Sequence, residues 1–278
     1  MGLRIATNIA SITAQRSMSG SSRELNKSFA QLSSGSRITK SSDDAAGLSI
    51  SENLKSQIRG YSQAQRNAND GMSMVQVSEG GLGEISNILT RMRELGVQAA
   101  SDTVGEQERG FIDKEVQQLK SEMERIAKTT KWGDQTLLDG SAPDYAFQVD
   151  IGNDDFKDRI GFAAAEQNAT TSNLGVDGFD YTTKEGAREA LTMIEGAQKQ
   201  VNGYRANLGA IQSRLLSTSD NLGVAIENFS AANSRIRDTD VAQSTAELQR
   251  NTILQQASVG VLAQANSAPA SALRLING

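Results

Sequence analysis

Apolar residues recur at every seventh position through the C-terminal half: Ile194, Val201, Leu208, Leu215, Leu222, Phe229 and Ile236. Three residues after each of the first six stand Ala197, Tyr204, Ile211, Thr218, Ala225 and Ala232. An a/d seam sustained past the three or four heptads that a coiled coil requires predicts one long helix with mostly small d residues. A second stripe runs through Leu54, Ile58, Tyr61, Ala68, Met72, Val75, Leu82, Ile85, Leu89, Met92 and Ala99. Its start is marked by Ser41 and Ser42 followed by Asp43 and Asp44, a capping residue with acids in the first turn. A shorter stripe follows at Ile112, Val116, Leu119, Met123 and Ile126. Together these predict a mainly α protein built on a long antiparallel helical bundle or coiled coil. Gly80, Gly81 and Gly83 weaken the second helix by about 1 kcal/mol each relative to alanine if exposed. They point to close packing or a bend.

The pattern changes between residues 131 and 181. Seven of the twelve aromatics gather there: Trp132, Tyr145, Phe147, Phe156, Phe162, Phe179 and Tyr181. Phe147 to Ile151 alternates like a short strand, and Arg159 to Phe162 is positioned to pair with it. The expectation is a small β-rich patch capping one end of the bundle.

The chain ends carry thinner stripes. Ile5, Ile9, Ile12, Met18, Leu25, Phe29 and Leu32 sit at helical spacing near the start, with a register slip near Gln15. Val241, Leu248, Ile253, Leu254, Val259, Leu262, Leu273 and Ile276 do so near the finish, interrupted by Pro269. Such helices are marginal alone in water. They can pair with each other or with neighbouring copies. Residues 34–42 read as a joint between the first helix and the bundle.

Composition narrows the function. The 278 residues include two prolines, no cysteine and no histidine. A His/Cys zinc site, a histidine base, a cysteine nucleophile and a disulfide are thereby excluded. No apolar run is long enough to span a membrane as a helix, and the N-terminal stretch lacks the apolar core of a cleaved secretory signal. Export, if it occurs, is expected by another route.

The net charge of −5 is unevenly placed, with +5 in residues 1–42, none in 236–278 and −10 between. A basic amphipathic arm on an acidic body suits a nucleic-acid or membrane contact, a targeting peptide or a partner-binding helix.

Catalytic motifs are not found. Asp150, Asn153, Asp154, Asp155 and Asp158 resemble a calcium loop in composition, but Gly152 is misplaced for one, and a solvated acidic turn is the simpler reading. Gly80, Gly81 and Gly83 do not make a dinucleotide fingerprint. Glu122 and Glu124 lie on an ordinary charged helix face. No enzyme, cofactor or metal is expected.

Longer stretches carry a resemblance. TNIASITAQR (7–16), QLSSGSRITKSSDDAAGLSISENLKSQIRG (31–60), AQRNANDGMSMVQVSEGGLGEISNILTRMRELGVQAASDT (64–103), LGAIQSRL (208–215), ENFSAANSRIRDTDVA (227–242) and ILQQASVGVLAQAN (253–266) closely resemble bacterial flagellins in order and spacing. Departures are mild. They include Gly2 and Leu3, the Gly80-Gly81 pair before Leu82 where flagellins usually show one glycine and an alanine, Gly96 where they usually show alanine, and Lys131-Trp132-Gly133 where Phe-Asn-Gly is usual.

The resemblance implies a subunit that self-assembles into the helical flagellar filament for swimming. Its paired terminal helices, 1–42 and 236–278, would line an inner tube as the polymerisation domain. Residues 43–235, including the 131–181 insert, would form the bundle shell, with no large outer variable domain. The polymerisation seams would be Ile5, Ile9, Ile12, Leu25, Phe29, Leu32, Leu248, Leu254, Val259 and Leu262. The bundle seam would be Ile194, Val201, Leu208, Leu215, Leu222 and Phe229.

The resemblance further implies a homo-oligomeric extracellular filament, exported unfolded by the flagellar type III apparatus. It implies an export chaperone on the C-terminal helix, and hook-associated and cap proteins as partners. Contact with a host innate immune receptor is implied at Arg91, Leu95 and Glu115, positions that also read simply as residues flanking the helical seams. Two alternatives stand beside this: a hook–filament junction protein of the same apparatus, and a basic-arm membrane or nucleic-acid binder.

Overall fold

A computed structural model describes residues 7–277, with side chains placed through residue 267. Five helices dominate: α1 (Ile9–Ser34), α2 (Ala45–Ala99), α3 (Glu106–Thr129), α4 (Lys184–Arg237) and α5 (Val241–Asn277). Two antiparallel pairs lie between α3 and α4. They are β1 (Lys131–Trp132) with β2 (Gln135–Thr136), and β3 (Tyr145–Gln148) with β4 (Arg159–Phe162). The chain divides into two compact units, one of residues 1–56 and 228–278, the other of residues 57–227.

The second unit holds the main core. Leu82, Ile85, Leu89 and Met92 of α2, Val116 and Met123 of α3, and Ile194, Val201, Leu208 and Leu215 of α4 are fully buried together. The seven-residue spacing thus delivers what it predicts over 194–215, because successive a positions face the neighbouring helices. At the α2–α3 turn the backbone carbonyls left over at the end of α2 need donors. Arg109, buried in the first turns of α3, supplies them, its Nε to the carbonyl of Ala99 at 2.8 Å and its Nη2 to that of Ser101 at 2.9 Å.

The start of α2 differs from expectation. The helix begins at Ala45 with no acid in its first turn. Asp44 is the capping residue, accepting the N–H of Gly47 at 2.8 Å, and neither serine caps.

The insert also differs. Residues 131–183 do not cap one end but lie along the bundle. Ile151 stands against Gly60, Phe147 against Gly71, Leu138 against Gly81 and Tyr181 against Gly96. The reason is area. The helices are rich in small residues, and Leu137, Leu138, Phe162, Leu174, Val176 and Tyr181 supply the apolar cover their faces lack.

β3 pairs with β4 in the expected direction, Phe147 opposite Ile160, but it ends at Gln148. Beyond it the Gln148 amide donates to the carbonyls of Asp150 and Gly152 and turns the chain. The β1–β2 hairpin closes through Gly133 at φ +59°, a two-residue turn of the kind that glycine permits.

In the first unit α1 packs against α5. Gly35 at φ +67° ends α1 in the left-handed conformation.

Candidate functional site

The α1–α5 contact is built from small and polar side chains. Ser11, Ala14, Ser28 and Gln31 of α1 are buried, as are Ser244 and Ala265 of α5. Asn8 caps α1 by accepting the N–H of Ser11 at 3.1 Å, and its amide donates to the carbonyl of Ala265 at 2.8 Å. The Ser11 hydroxyl donates to the side-chain oxygen of Asn266 at 2.9 Å. Pairing therefore buries small and polar side chains and leaves much of the apolar surface outside.

Ile9 is 60% exposed, Ile12 52% and Phe29 55%, and Leu254 and Val259 are also exposed, together with Val241, Ile253 and Val261. Leu25, Leu32, Leu248 and Leu262 are half-buried. Ile5 lies outside the described residues, and Leu273 and Ile276 outside those whose side chains are placed. The signal in the sequence for the pairing face was the run of serines and alanines, which a search for apolar periodicity passes over.

The bundle seam is a different object. Ile194, Val201, Leu208, Leu215 and Leu222 are buried in their own unit, whereas Phe229, in the other unit, is half-buried.

The joint between α1 and α2 is tightly bonded. The N–H of Arg37 donates to the carbonyl of Arg237 at 2.6 Å and that of Thr239 to Gly35 at 3.0 Å, pairing Ser36 with Asp238. The Asp43 carboxylate accepts the N–H groups of Lys40 at 3.0 Å and Thr39 at 3.1 Å and the Thr39 hydroxyl at 2.9 Å. Lys27 of α1 stands 3.8 Å from it. These bonds, with the Lys40 N–H foremost, hold the Asp43 carboxyl below the usual carboxylate range. Arg237 also pairs with Glu52.

One face of α3 grips the irregular segment 170–181. Glu124 accepts the N–H and hydroxyl of Thr171 at 3.0 and 2.9 Å. Lys120 donates to the carbonyls of Phe179 and, at 3.1 Å, Asp177, and stands 3.9 Å from the Phe179 ring centroid. Asp113 accepts the N–H of Tyr181 at 2.9 Å. Burial pushes the Lys120 ammonium down, against the pull of Asp113, Asp177 and Asp180. Burial likewise pushes the Tyr181 phenol up, and its hydroxyl donates to the Met92 carbonyl at 2.8 Å.

The remaining candidates resolve into ordinary contacts. Arg91 pairs with Glu115 at 2.8 Å and Glu94 at 3.1 Å on the surface. Leu95 is only 2% exposed and belongs to the core rather than flanking it. Within the acidic turn, Asp154 and Asp158 bind backbone N–H groups, and Asn153 and Asp155 hold Arg159. Glu122 pairs with Arg125 and Glu124 with Lys128.

Two family models match: the bacterial flagellin N-terminal helical region over residues 5–142, and the bacterial flagellin C-terminal helical region over residues 191–276. A flagellin of Halalkalibacterium halodurans is 41% identical over 269 residues, covering 97% of this chain and 98% of that one. A flagellar filament core protein of Brachyspira hyodysenteriae is 38% identical over 286 residues, covering 98% and 99%. Among solved structures, a putative flagellar hook-associated protein from Vibrio parahaemolyticus aligns with a TM-score of 0.59 at 14% identity, covering 70% of this chain and 100% of that one, a likeness of fold alone.

Proposed function

Because the chain belongs to the bacterial flagellin family, and is thus a structural subunit of the flagellar filament that serves motility, we propose that it polymerises through the outward apolar faces of α1 and α5. The observation that carries this is the burial pattern of the helix pair: serine, alanine and Gln31 buried, four leucines half-buried, and Ile9, Ile12, Phe29, Val241, Ile253, Leu254, Val259 and Val261 exposed. Each large apolar side chain left in water forgoes about 1.5–3 kcal/mol, which other copies recover on contact. Val241, Ile253, Leu254 and Val261 point around several sides of α5, so this helix is suited to being surrounded. A contact between different patches of identical subunits does not close and propagates as a helical filament.

In this reading residues 1–42 and 236–278 form the inner polymerisation domain and 43–235 the outer shell. Thin helices that gain their cover only on docking suit a chain exported unfolded by the flagellar type III apparatus into the extracellular filament. No described helix is long and apolar enough to cross a membrane. An export chaperone on α5 would mask the same apolar residues before assembly, and hook-associated and cap proteins would meet them at the filament ends. A host innate immune receptor would find Arg91 and Glu115 on the surface but not Leu95.

Deleting 1–40 or 240–278 tests the proposal. Negative-stain microscopy should show long filaments from the full chain and none from either truncation, with the helical signal of 57–227 retained. Filaments of normal length from either truncation overturn it.

A further inference from the structure

Three triplets of the form Asn-X-Ser/Thr occur in the chain, at Asn26, Asn168 and Asn228. This is the acceptor pattern for a sugar joined to an asparagine amide. The structure sets one of the three apart. Asn26 lies within α1 and Asn228 within α4, and on a helix residues two apart do not face each other, so the hydroxyl cannot reach the amide. Ser28, the hydroxyl residue of the first triplet, is also buried. Asn168 stands instead in irregular backbone beyond β4.

There the triplet is already folded into a turn. The Thr170 hydroxyl donates to Oδ1 of Asn168 at 2.7 Å, and the Thr170 N–H donates to the same oxygen at 3.0 Å, an Asx turn. The turn is tied down around it. The Ala169 N–H donates to the carbonyl of Leu138 at 2.8 Å, and the Asn173 amide donates to the Asn168 carbonyl at 2.6 Å. Nδ2 of Asn168 is left over. It donates to nothing among the described residues, yet it is not sealed in and stays open to solvent. Gly140, at φ +76°, passes beside it, and a side chain there would stand 2.7 Å from Nδ2. The glycine keeps that flank of the amide clear.

We infer that Asn168 is an acceptor for N-linked glycosylation, with a nucleoside-diphosphate hexose as the donor and a glycosyltransferase as the catalyst. In the transfer Nδ2 bonds to the anomeric carbon and the bond from that carbon to the diphosphate oxygen breaks. The nucleoside diphosphate leaves with the electron pair, and one amide proton passes to a base of the transferase. By donating to Oδ1, the Thr170 hydroxyl draws charge from the amide and eases the loss of that proton. Asn168 belongs to the unit of residues 57–227, not to the helices to which polymerisation is assigned, so this goes beyond the filament reading and does not rest on it.

The test uses the full chain made in a host without such a transferase. It is incubated with a soluble bacterial N-glucosyltransferase and UDP-glucose, digested with trypsin and analysed by mass spectrometry with electron-transfer fragmentation. The expected result is a hexose on Asn168, in the tryptic peptide 160–184, gained faster than at Asn26 or Asn228. No hexose at Asn168, or equal rates at all three, overturns the inference. Thr170→Val should slow the transfer to Asn168 about tenfold, as loss of one hydrogen bond would, and Thr170→Ser should retain it. Equal rates for both variants overturn the role given to the hydroxyl. Peptide 160–184 from filaments of the bacterium that makes the chain is then expected to carry its sugar on Asn168. A bare peptide, or a sugar on Thr170, Thr171 or Ser172 instead, overturns the inference and leaves the polymerisation reading standing.

Discussion

A methyl group added at Gly81 would lie 2.7 Å from Leu138 Cδ1 and 2.7 Å from Thr130 Oγ1, whereas one added at Gly80 or Gly83 would meet nothing within 4 Å. The three glycines look alike in the sequence and weaken the helix alike, but only the middle one lets the insert approach. Gly81→Ala should therefore destabilise the subunit by about 1–3 kcal/mol through overpacking. Gly80→Ala and Gly83→Ala should each stabilise it by up to about 1 kcal/mol through helix propensity. Denaturant melts of the three variants separate the cases. Gly96 is a second instance. Its added methyl would stand 3.0 Å from the Tyr181 hydroxyl oxygen and 3.0 Å from Leu191 Cδ2. The hydroxyl is pinned to the Met92 carbonyl and does not move aside. Glycine at 96 thus answers to a tyrosine 85 positions later, a link that no local pattern reveals.

At the scale of elements, the long helices were legible because their seams repeat many times. The short pieces were not. β1 and β2 are two residues each, too brief for alternation to register. The segment 170–181 has no periodicity at all, since its backbone is met by its own tight turns and by Asp113, Lys120 and Glu124 rather than by a strand or helix ladder. Replacing Lys120 with methionine keeps the bulk and removes the donor, leaving two carbonyls without it. About 1–3 kcal/mol of local stability should go with it. Hydrogen exchange should then accelerate in 177–182, while exchange in the α4 seam around Leu208 changes little. Uniform acceleration across both regions would contradict a local clamp.

The joint makes a pH prediction of its own. Asp43 has a folded pKa below its unfolded value, so its contribution is full above about pH 4 and is lost as the pH falls through the depressed value. Asp43→Asn should flatten the acid limb of the thermal stability curve below about pH 4, and should leave its slope near neutrality unchanged.

On the scale of the whole molecule, two kinds of helix share one chain and the same apolar periodicity. In residues 57–227 most of the periodic residues are buried, whereas in the α1–α5 pair Ile9, Ile12, Phe29, Leu254 and Val259 are exposed and four leucines only half-buried. Periodicity reports that a face seeks cover, not what covers it, so the difference between seam and surface was not legible from spacing alone. The serines and alanines among the buried residues of α1 and α5 decide it, because they let the helices approach through a face in which no large apolar side chain is fully buried.

This separation makes folding and assembly independently breakable. Phe29→Asp and Leu254→Asp place carboxylates at sites that are exposed in the subunit, 55% and 43% for the native residues, so subunit melts should shift by no more than about 0.5 kcal/mol. In an assembled apolar contact the same carboxylates are desolvated without partners. The critical concentration for filament growth should rise at least about thirtyfold, equivalent to roughly 2 kcal/mol or more per contact. Ala14→Glu provides the contrast, since Ala14 is buried between α1 and the rest of its unit and the change should lower terminal helicity as well as assembly. Sedimentation of polymer against subunit, with circular dichroism of the unpolymerised fraction, distinguishes the two classes. If Phe29→Asp and Leu254→Asp polymerise at the parental concentration, the outward faces of α1 and α5 are not the polymerisation surface.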